Sequence, residues 1–581
     1  MISLIYALQA TASQVLLYLL VPAWALARMS WRDVGEWLFA SLVAGVTSAA
    51  VLGWVCNETG IGVSLALGLW LTTWICGGLA ARFKFGEVLV PPLDWVLLAV
   101  LVLAWVVRMI HPLQTWALGQ SDAYSHLGFL RDVLERGQVG NGDYPPAYSW
   151  VMAFPACLMH GHPYWMSRFG GAFFGMGMTL GVYVFLSQLK NRATGISAAA
   201  LLAGCPVFWM LQKTGVGSFA NQMGLLLIPA VLWAYASGRR GWLVLTLAAL
   251  ALSVPMMLLH LLILLTLLIL SERENGIRLV LLATMLLVFM LALGLAMRIP
   301  ADRGMVVASM LTGQYGLADE ANVHWGRVLQ TLALDFFSFK RMGFDSWLLN
   351  AGVLGMTFAF AASAVAGWCR RDKGWRITGI WGLLTSLNVC FGIFQFTNYQ
   401  REGWSLLLAS ACLAGLLFDL IWRMYHQQLR RGIMITGLVL VSAMGLMFPP
   451  GHYVAGGVSE SDVVRFLLPL DPSVKVLARN MQGFESGQGD VVRTLHTNSV
   501  SEISKIPACG ALVFLRDRAD FGTTVPRVMK LLQPGLAAES ERARARGEKV
   551  NRKLESVLEK HVVRVIHYSP SLDVWHICMD N

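Results

Sequence analysis

Apolar residues run in blocks of about twenty from the N-terminus to about position 448, parted by short polar loops. A block of that length spans the roughly 30 Å hydrocarbon core of a bilayer as an α-helix. The pattern predicts spans at about 4–27, 36–55, 62–81, 93–110, 165–188, 195–211, 220–236, 241–254, 256–270, 277–297, 346–368, 376–396, 403–424 and 432–448. Residues 241–270 must cross twice, because basic loops flank both ends. Pro255 divides them into two short spans or a re-entrant hairpin, and the turn puts His260 near the far face. After 450 the pattern changes. Val474–Leu477, Ala511–Leu515 and Val562–His567 read as strands, and Arg542 to Lys560 is charged and helix-prone. The expected fold is an all-α polytopic membrane protein of about 14 spans with a small C-terminal α/β domain. Its divisions are 1–91, three accessory N-terminal helices; 92–449, the transmembrane core with long loops 111–164 and 298–345; and 450–581, a soluble domain.

Charge assigns the sides. Arg28 and Arg32, Arg82 and Lys84, Lys190 and Arg192, Arg239 and Arg240, Arg273 and Arg278, Arg370 to Arg376, and Arg423 to Arg431 all fall on one side if the spans alternate. The intervening short loops, such as Cys56–Ile61, are nearly free of basic residues. By the positive-inside rule that side is cytoplasmic, so the two long loops and the tail face outward. An Ala25-Leu-Ala27 sequence imitates a signal-peptidase site, but the positive charges follow the apolar run and do not precede it. The segment reads as a retained span.

Composition agrees: 56% of the 581 residues are hydrophobic and only 14% charged, against about 25% charged in soluble domains. Topology accounts for much of the net charge of +11, and no nucleic-acid partner is expected. The nine cysteines include no C-x-x-C pair, and no metal signature appears. Seven lie in or beside apolar segments and read as small buried hydrophobes. Cys509 and Cys578 lie in the tail, where the sequence leaves pairing open. The N-x-T triplet at Asn57, in a very short loop, reads as chance.

The polar chemistry gathers in the outer loops. The first holds a short amphipathic helix from Asp122 to Glu135, with His126 one turn after Asp122 on the same face. Asp122 serves equally as a helix cap or as a base. His126 reads as a substrate contact or as packing. Arg131–Glu135 and Asp132–Arg136 read as solvated i,i+4 pairs. Tyr144-Pro-Pro is a turn into the next helix or part of the site, and His160 and His162, on either side of Gly161, read as a wet loop or as metal ligands. His260 reads as a core histidine or a substrate contact. Arg401 and Glu402, where the chain re-enters the membrane, read as phosphate ligand or salt-bridged anchor. Arg327, Lys340 and Arg341, in the second long loop, share that choice. The spans read as almost free of ionisable residues, with Glu36, Asp94 and Asp419 near inner ends, which argues against an ion-coupled pump.

Asp122 with His126, then Gly137 at the helix end, then Tyr144-Pro145-Pro146 before the next apolar segment, in the first large outer loop: this pattern resembles the GT-C superfamily of integral membrane glycosyltransferases. The resemblance covers about 93–448. It implies transfer of a sugar from a polyprenyl-phosphate donor to an extracytoplasmic acceptor, a glycan, lipid or protein, with inversion. Asp122 would act as general base and His126 beside it. Tyr144, His260, Arg327, Arg341, Arg401 and Glu402 would bind donor phosphate or acceptor. A second acidic residue adjacent to the first is missing, so no cofactor is implied with certainty and a divalent metal stays open. The implied location is a bacterial inner membrane with the site on the periplasmic face. A lipid-linked-sugar flippase or other transporter, a surface-polysaccharide polymerase or ligase, and a non-catalytic scaffold are the competing readings.

Overall fold

The computed structural model describes residues 2–85, 91–114, 116, 118, 121–139, 145–205, 219–271, 347–391, 399–424, and the strand segments 476–479, 492–495, 509–515, 562–569 and 572–578. The helices, in chain order, are α1 Ile2–Val15, which runs through a π turn at Leu16–Leu20 into α2 Val21–Leu26; α3 Val34–Thr59; α4 Val63–Phe85; α5 Trp95–Gln114; α6 Ser121–Arg136; α7 Ala147–Leu158; α8 Pro163–Phe169; α9 Gly171–Leu189; and α10 Arg192–Ala203. There follow α11 Phe219–Ala236, α12 Arg240–Ser253, α13 Pro255–Ser271, α14 Trp347–Cys369, α15 Lys373–Phe391 and α16 Tyr399–Met424. Twelve predicted spans coincide with these helices. The predicted spans 277–297 and 432–448 lie outside the described residues. Among the described residues six helices are long and apolar enough to cross a membrane, and the protein is an integral membrane protein.

Local signals explain the helix ends. Asp33 caps α3 by accepting from the Glu36 N–H at 2.8 Å, and Glu36 reaches back to the Arg32 N–H at 2.9 Å, much as in a capping box. Gly60, at φ 71°, closes the same helix in the left-handed conformation. Asp94 caps α5 and Asn191 caps α10. Pro255 opens α13 immediately after α12 ends, which is the expected break.

α3 is the ruler of the bundle. Its 26 residues measure about 39 Å at 1.5 Å each. At its N-terminal end the basic loops converge. Glu36, 2% exposed, accepts from Arg239 at 3.1 Å and from Trp233 Nε1 at 3.2 Å. Arg32 donates to Gln188 and Ser187, Lys190 pairs with Asp372, Asn191 donates to Asp419, and Arg192 donates to Asp94 through two bonds of 2.6 and 2.8 Å. The loops that follow α2, α9, α11 and α14 therefore meet at one end of the bundle, as the charge pattern requires. Arg192 holds the Asp94 carboxyl below the usual carboxylate range. Close packing holds the interior. A Cβ added at Gly45 would lie 2.6 Å from the Tyr18 carbonyl oxygen, and one at Gly53 would strike the Trp150 side chain. Residues from the first three predicted spans share one buried core with those after position 92.

Two features depart from the predicted pattern. Residues 147–158, inside the expected outer loop, form α7, and every side chain from Ala147 to Ala156 is buried. Tyr18 OH donates to the Val151 carbonyl, so α7 sits within the bundle and not over it. The second departure concerns charge in the spans: Arg108 on α5 and Arg168 on α8 are 6% and 1% exposed.

The tail forms a five-stranded mixed sheet of order β2-β1-β3-β5-β4, with β1 Val476–Arg479, β2 Val492–Leu495, β3 Cys509–Leu515, β4 Val562–Ser569 and β5 Leu572–Cys578. β1 pairs in parallel with β2 and β3, and β5 lies antiparallel between β3 and β4. The three predicted strands are present, β2 and β5 join them, and the helix-prone 542–560 lies outside the described residues.

Candidate functional site

α6, the helix that carries Asp122 and His126, is tied down at its C-terminal side, and the end of α5 that leads toward it is held as well. On its N-terminal side the linker from α5 is held by α8. Arg168 Nε donates to the Pro112 carbonyl at 2.8 Å. Its guanidinium lies 4.6 Å from the Trp116 ring centroid, 5.0 Å from Phe169 and 5.3 Å from Trp165. Tyr164 OH donates to the Trp116 carbonyl. The last carbonyls of a helix have no partner within it, so a buried arginine at this point both caps α5 and fixes the direction in which the chain leaves it. On the C-terminal side Gly137 adopts φ 70°, and its N–H closes onto the Val133 carbonyl at 2.9 Å. A Cβ there would come 2.8 Å from the Ile61 carbonyl oxygen. Val139 N–H donates to Asn57 Oδ1 at 2.9 Å, so the Asn57 amide ties α6 to the C-terminal end of α3.

Between these clamps α6 buries Ala123, His126, Leu127, Leu130 and Val133, an i, i+3/i+4, i+7 stripe, and exposes the Arg131–Glu135 ion pair. His126 belongs to the buried stripe at 4% exposure. Its ring stacks on Phe219 at 5.8 Å and 23°, and meets Tyr148 edge-on at 5.5 Å. Asp122 is the second residue of the helix, one turn before His126.

Arg108 extends the polar group. It lies near Tyr148, the residue that His126 touches. Gly171 opens space for it. A Cβ there would lie 3.5 Å from an Arg108 terminal nitrogen and 2.6 Å from Gln222 Oε1. Gln222 and Asn221 are both 2% exposed, three and two residues beyond Phe219 on α11. α5, α6, α7, α9 and α11 thus bring an arginine, an imidazole, a phenol and an amide together.

Helix lengths put this group far from the basic end. Arg108 stands fourteen residues beyond Asp94, or about 21 Å, and Gln222 seventeen residues before Arg239, or about 25 Å. Arg401 and Glu402 sit in the first turn of α16, and Arg401 precedes Asp419 by eighteen residues, or about 27 Å. Asn57 stands 21 residues beyond Glu36, or about 32 Å. The Asp122 helix, Arg108 and the Arg401 turn therefore share the end of the bundle opposite the basic loops.

The other expected residues fall as follows. His260 is 1% exposed on α13, with Nε2 3.3 Å from Thr385 Oγ1, which suits a core histidine. Tyr144, Arg327 and Arg341 lie outside the described residues. The side chains of Asp122, Arg401 and Glu402 also lie outside the description, which gives their backbone positions alone. His160 and His162 are exposed, and among the described residues no group of three His, Cys, Asp or Glu side chains forms a metal site. Arg108 and Arg168 were not among the expected site residues. The signal was present, since an arginine in an otherwise apolar span marks either a helix end or a functional group.

No protein-family model and no curated protein sequence matches this chain. Among solved structures it is similar to the oligosaccharyltransferase AglB of Archaeoglobus fulgidus in complex with an inhibitory peptide and a dolichol-phosphate. The TM-score is 0.43 at 13% identity, over 68% of this chain and 64% of that one. It is also similar to an Archaeoglobus fulgidus oligosaccharyltransferase tethered to an acceptor peptide containing an NVT sequon, with a TM-score of 0.40 at 13% identity, over 77% of this chain and 72% of that one. The chain thus spans just under two thirds of the first of these proteins.

Proposed function

We propose that the protein is a membrane glycosyltransferase that moves a sugar from a polyprenyl-phosphate donor to an extracytoplasmic acceptor, with Asp122 as the general base. One observation carries the reading. Asp122 lies in the first turn of α6, whose C-terminal side is tied to α3, about 30 Å from the face where the basic loops converge. By the positive-inside rule that face is cytoplasmic, so Asp122 meets the outer interface, the depth of a lipid phosphate.

The reaction breaks the bond between the anomeric carbon and the phosphate oxygen. The bonding pair leaves with the lipid phosphate, and the acceptor hydroxyl oxygen forms the new bond from the opposite side. Asp122 takes the hydroxyl proton as that bond forms. No covalent intermediate is needed, so the anomeric centre inverts. The departing phosphate gains charge, and Arg401, in the first turn of α16 at the same end of the bundle, would hold it through a forked contact. His126, one turn from Asp122, orients the base or touches the acceptor. The tail sheet would stand on the same outer side.

Asp122→Asn and Asp122→Ala test the assignment together. Asparagine caps a helix about as well as aspartate, whereas alanine costs about 1 kcal/mol. Surface glycans and glycoproteins are compared by mass spectrometry in cells with the protein, without it, and with each variant. A catalytic base predicts a product lost in both variants, with transfer reduced at least about a hundredfold. An active Asp122→Asn protein refutes the base, and an unchanged glycan profile in cells without the protein refutes the transferase.

A further inference from the structure

Two of the nine cysteines lie in the tail, and the sheet sets them face to face. Cys509 opens β3 and Cys578 ends β5, 69 positions later, yet the antiparallel register pairs them directly, at the head of an unbroken ladder from Cys509↔Cys578 to Leu515↔Leu572. Directly opposed residues of an antiparallel pair have Cα atoms about 4.5 or 5.5 Å apart, depending on whether the pair is hydrogen-bonded. Both separations fall in the range of about 4.4–6.8 Å that a disulfide requires. A slip of one residue would remove the opposition, and the seven paired positions argue against a slip.

The compartment supplies the second condition. On the topology proposed above, the tail lies outside the cytoplasm, where thiols are oxidised and stay so. The remaining seven cysteines lie before position 413, in or beside the apolar segments. Within the tail each of the two cysteines has only the other as an intramolecular partner.

We infer that Cys509 and Cys578 form a disulfide that staples β5 to β3. It would close the whole 510–577 segment, including the hairpin of β4 with β5, into one covalent loop. The two thiols lose two protons and two electrons. A thiol-oxidising protein disulfide accepts them, passes through a mixed disulfide, and leaves as a dithiol. β5 lies between β3 and β4 and holds β4 in the sheet, so the staple would secure the outer half of the tail.

This inference rests on the outward orientation of the tail, and the test separates the two. Membranes containing the full chain are quenched with a thiol-alkylating reagent at lysis, digested without reduction, and analysed by mass spectrometry. The expected product is a linked peptide pair carrying Cys509 and Cys578, two hydrogens lighter than the sum of its parts, absent after reduction and absent in Cys578→Ser. Recovery of both cysteines alkylated without reduction overturns the disulfide. The purified, reduced protein is then treated with oxidised glutathione. If the pair closes there after being found reduced in membranes, the orientation was wrong and the register right. If it stays open, the register was wrong. Should single serine variants fail to accumulate, Cys509→Ser/Cys578→Ser is compared with them. A linked pair predicts that the double variant is no worse than either single one.

Discussion

Arg168 offers the sharpest link between the fold and the proposed chemistry, because it touches no expected substrate yet holds the chain that leads into the Asp122 helix. Its Nε bond to the Pro112 carbonyl is 2.8 Å long and its side chain is 1% exposed, so solvent screens little of it. A hydrogen bond from a charged group contributes about 1.5–3 kcal/mol. A desolvated guanidinium against aromatic rings contributes about 0.5–2 kcal/mol more. Replacing Arg168 with methionine, which keeps much of the apolar stem, should therefore cost roughly 2–5 kcal/mol of stability. Arg168→Lys keeps the cation and loses the planar stack and the fixed fork, so it should fall between wild type and Arg168→Met. Stability is read as the thermal unfolding midpoint in detergent, and transfer as product formed from a polyprenyl-phosphate sugar. If even 1.4 kcal/mol of the anchoring is felt when Asp122 takes the proton, the rate falls about tenfold at unchanged donor affinity. An Arg168→Lys protein with wild-type stability and wild-type transfer would show that the linker does not need this clamp.

Three further outcomes follow from the same structure. Gly45→Ala would press a methyl group against the Tyr18 backbone, so the first helix and α3 must part and thermal stability should drop by about 1–3 kcal/mol; an unchanged midpoint refutes the close approach. Asp94 has its folded pKa depressed by Arg192 first of all, so the pair stabilises the protein above the unfolded carboxylate value of about 3.9 and loses that contribution as pH falls through the lower, folded value. In an acid titration of the unfolding midpoint, Asp94→Asn should flatten the dependence below about pH 4 and leave neutral-to-alkaline behaviour parallel to wild type; an identical acid limb in both proteins counts against the pair. Finally, Arg240→Cys should resist a membrane-impermeant maleimide in intact cells and react after permeabilisation, and labelling from outside would invert the topology.

The positions of the apolar helices that the structure describes were legible in the sequence because they depend on local properties. A run of about twenty apolar residues must be helical to satisfy its own backbone in lipid, whatever surrounds it. The side on which the basic loops meet was legible for a similar reason, and contacts such as Lys190 with Asp372 and Arg239 with Glu36 now join those loops directly. The α6 helix, its closing glycine at 137 and three of the tail strands also followed from short-range pattern. β2 escaped because Arg493 and Thr494 leave it no apolar run, and β5 because Asp573 and His576 interrupt its own.

Other features needed the tertiary structure. The burial of α7, the clamp of Arg168 on the linker, the tie from Asn57 to Val139 and the opposition of Cys509 to Cys578 all join residues from 56 to 133 positions apart in the chain. A sequence window sees apolar character and charge. Whether an arginine in a span faces lipid, caps a neighbour's carbonyl or waits for a phosphate depends on which distant helix lies beside it. Periodicity carries no record of that neighbour, because many partners can satisfy the same apolar stripe, and only packing and strand register select one.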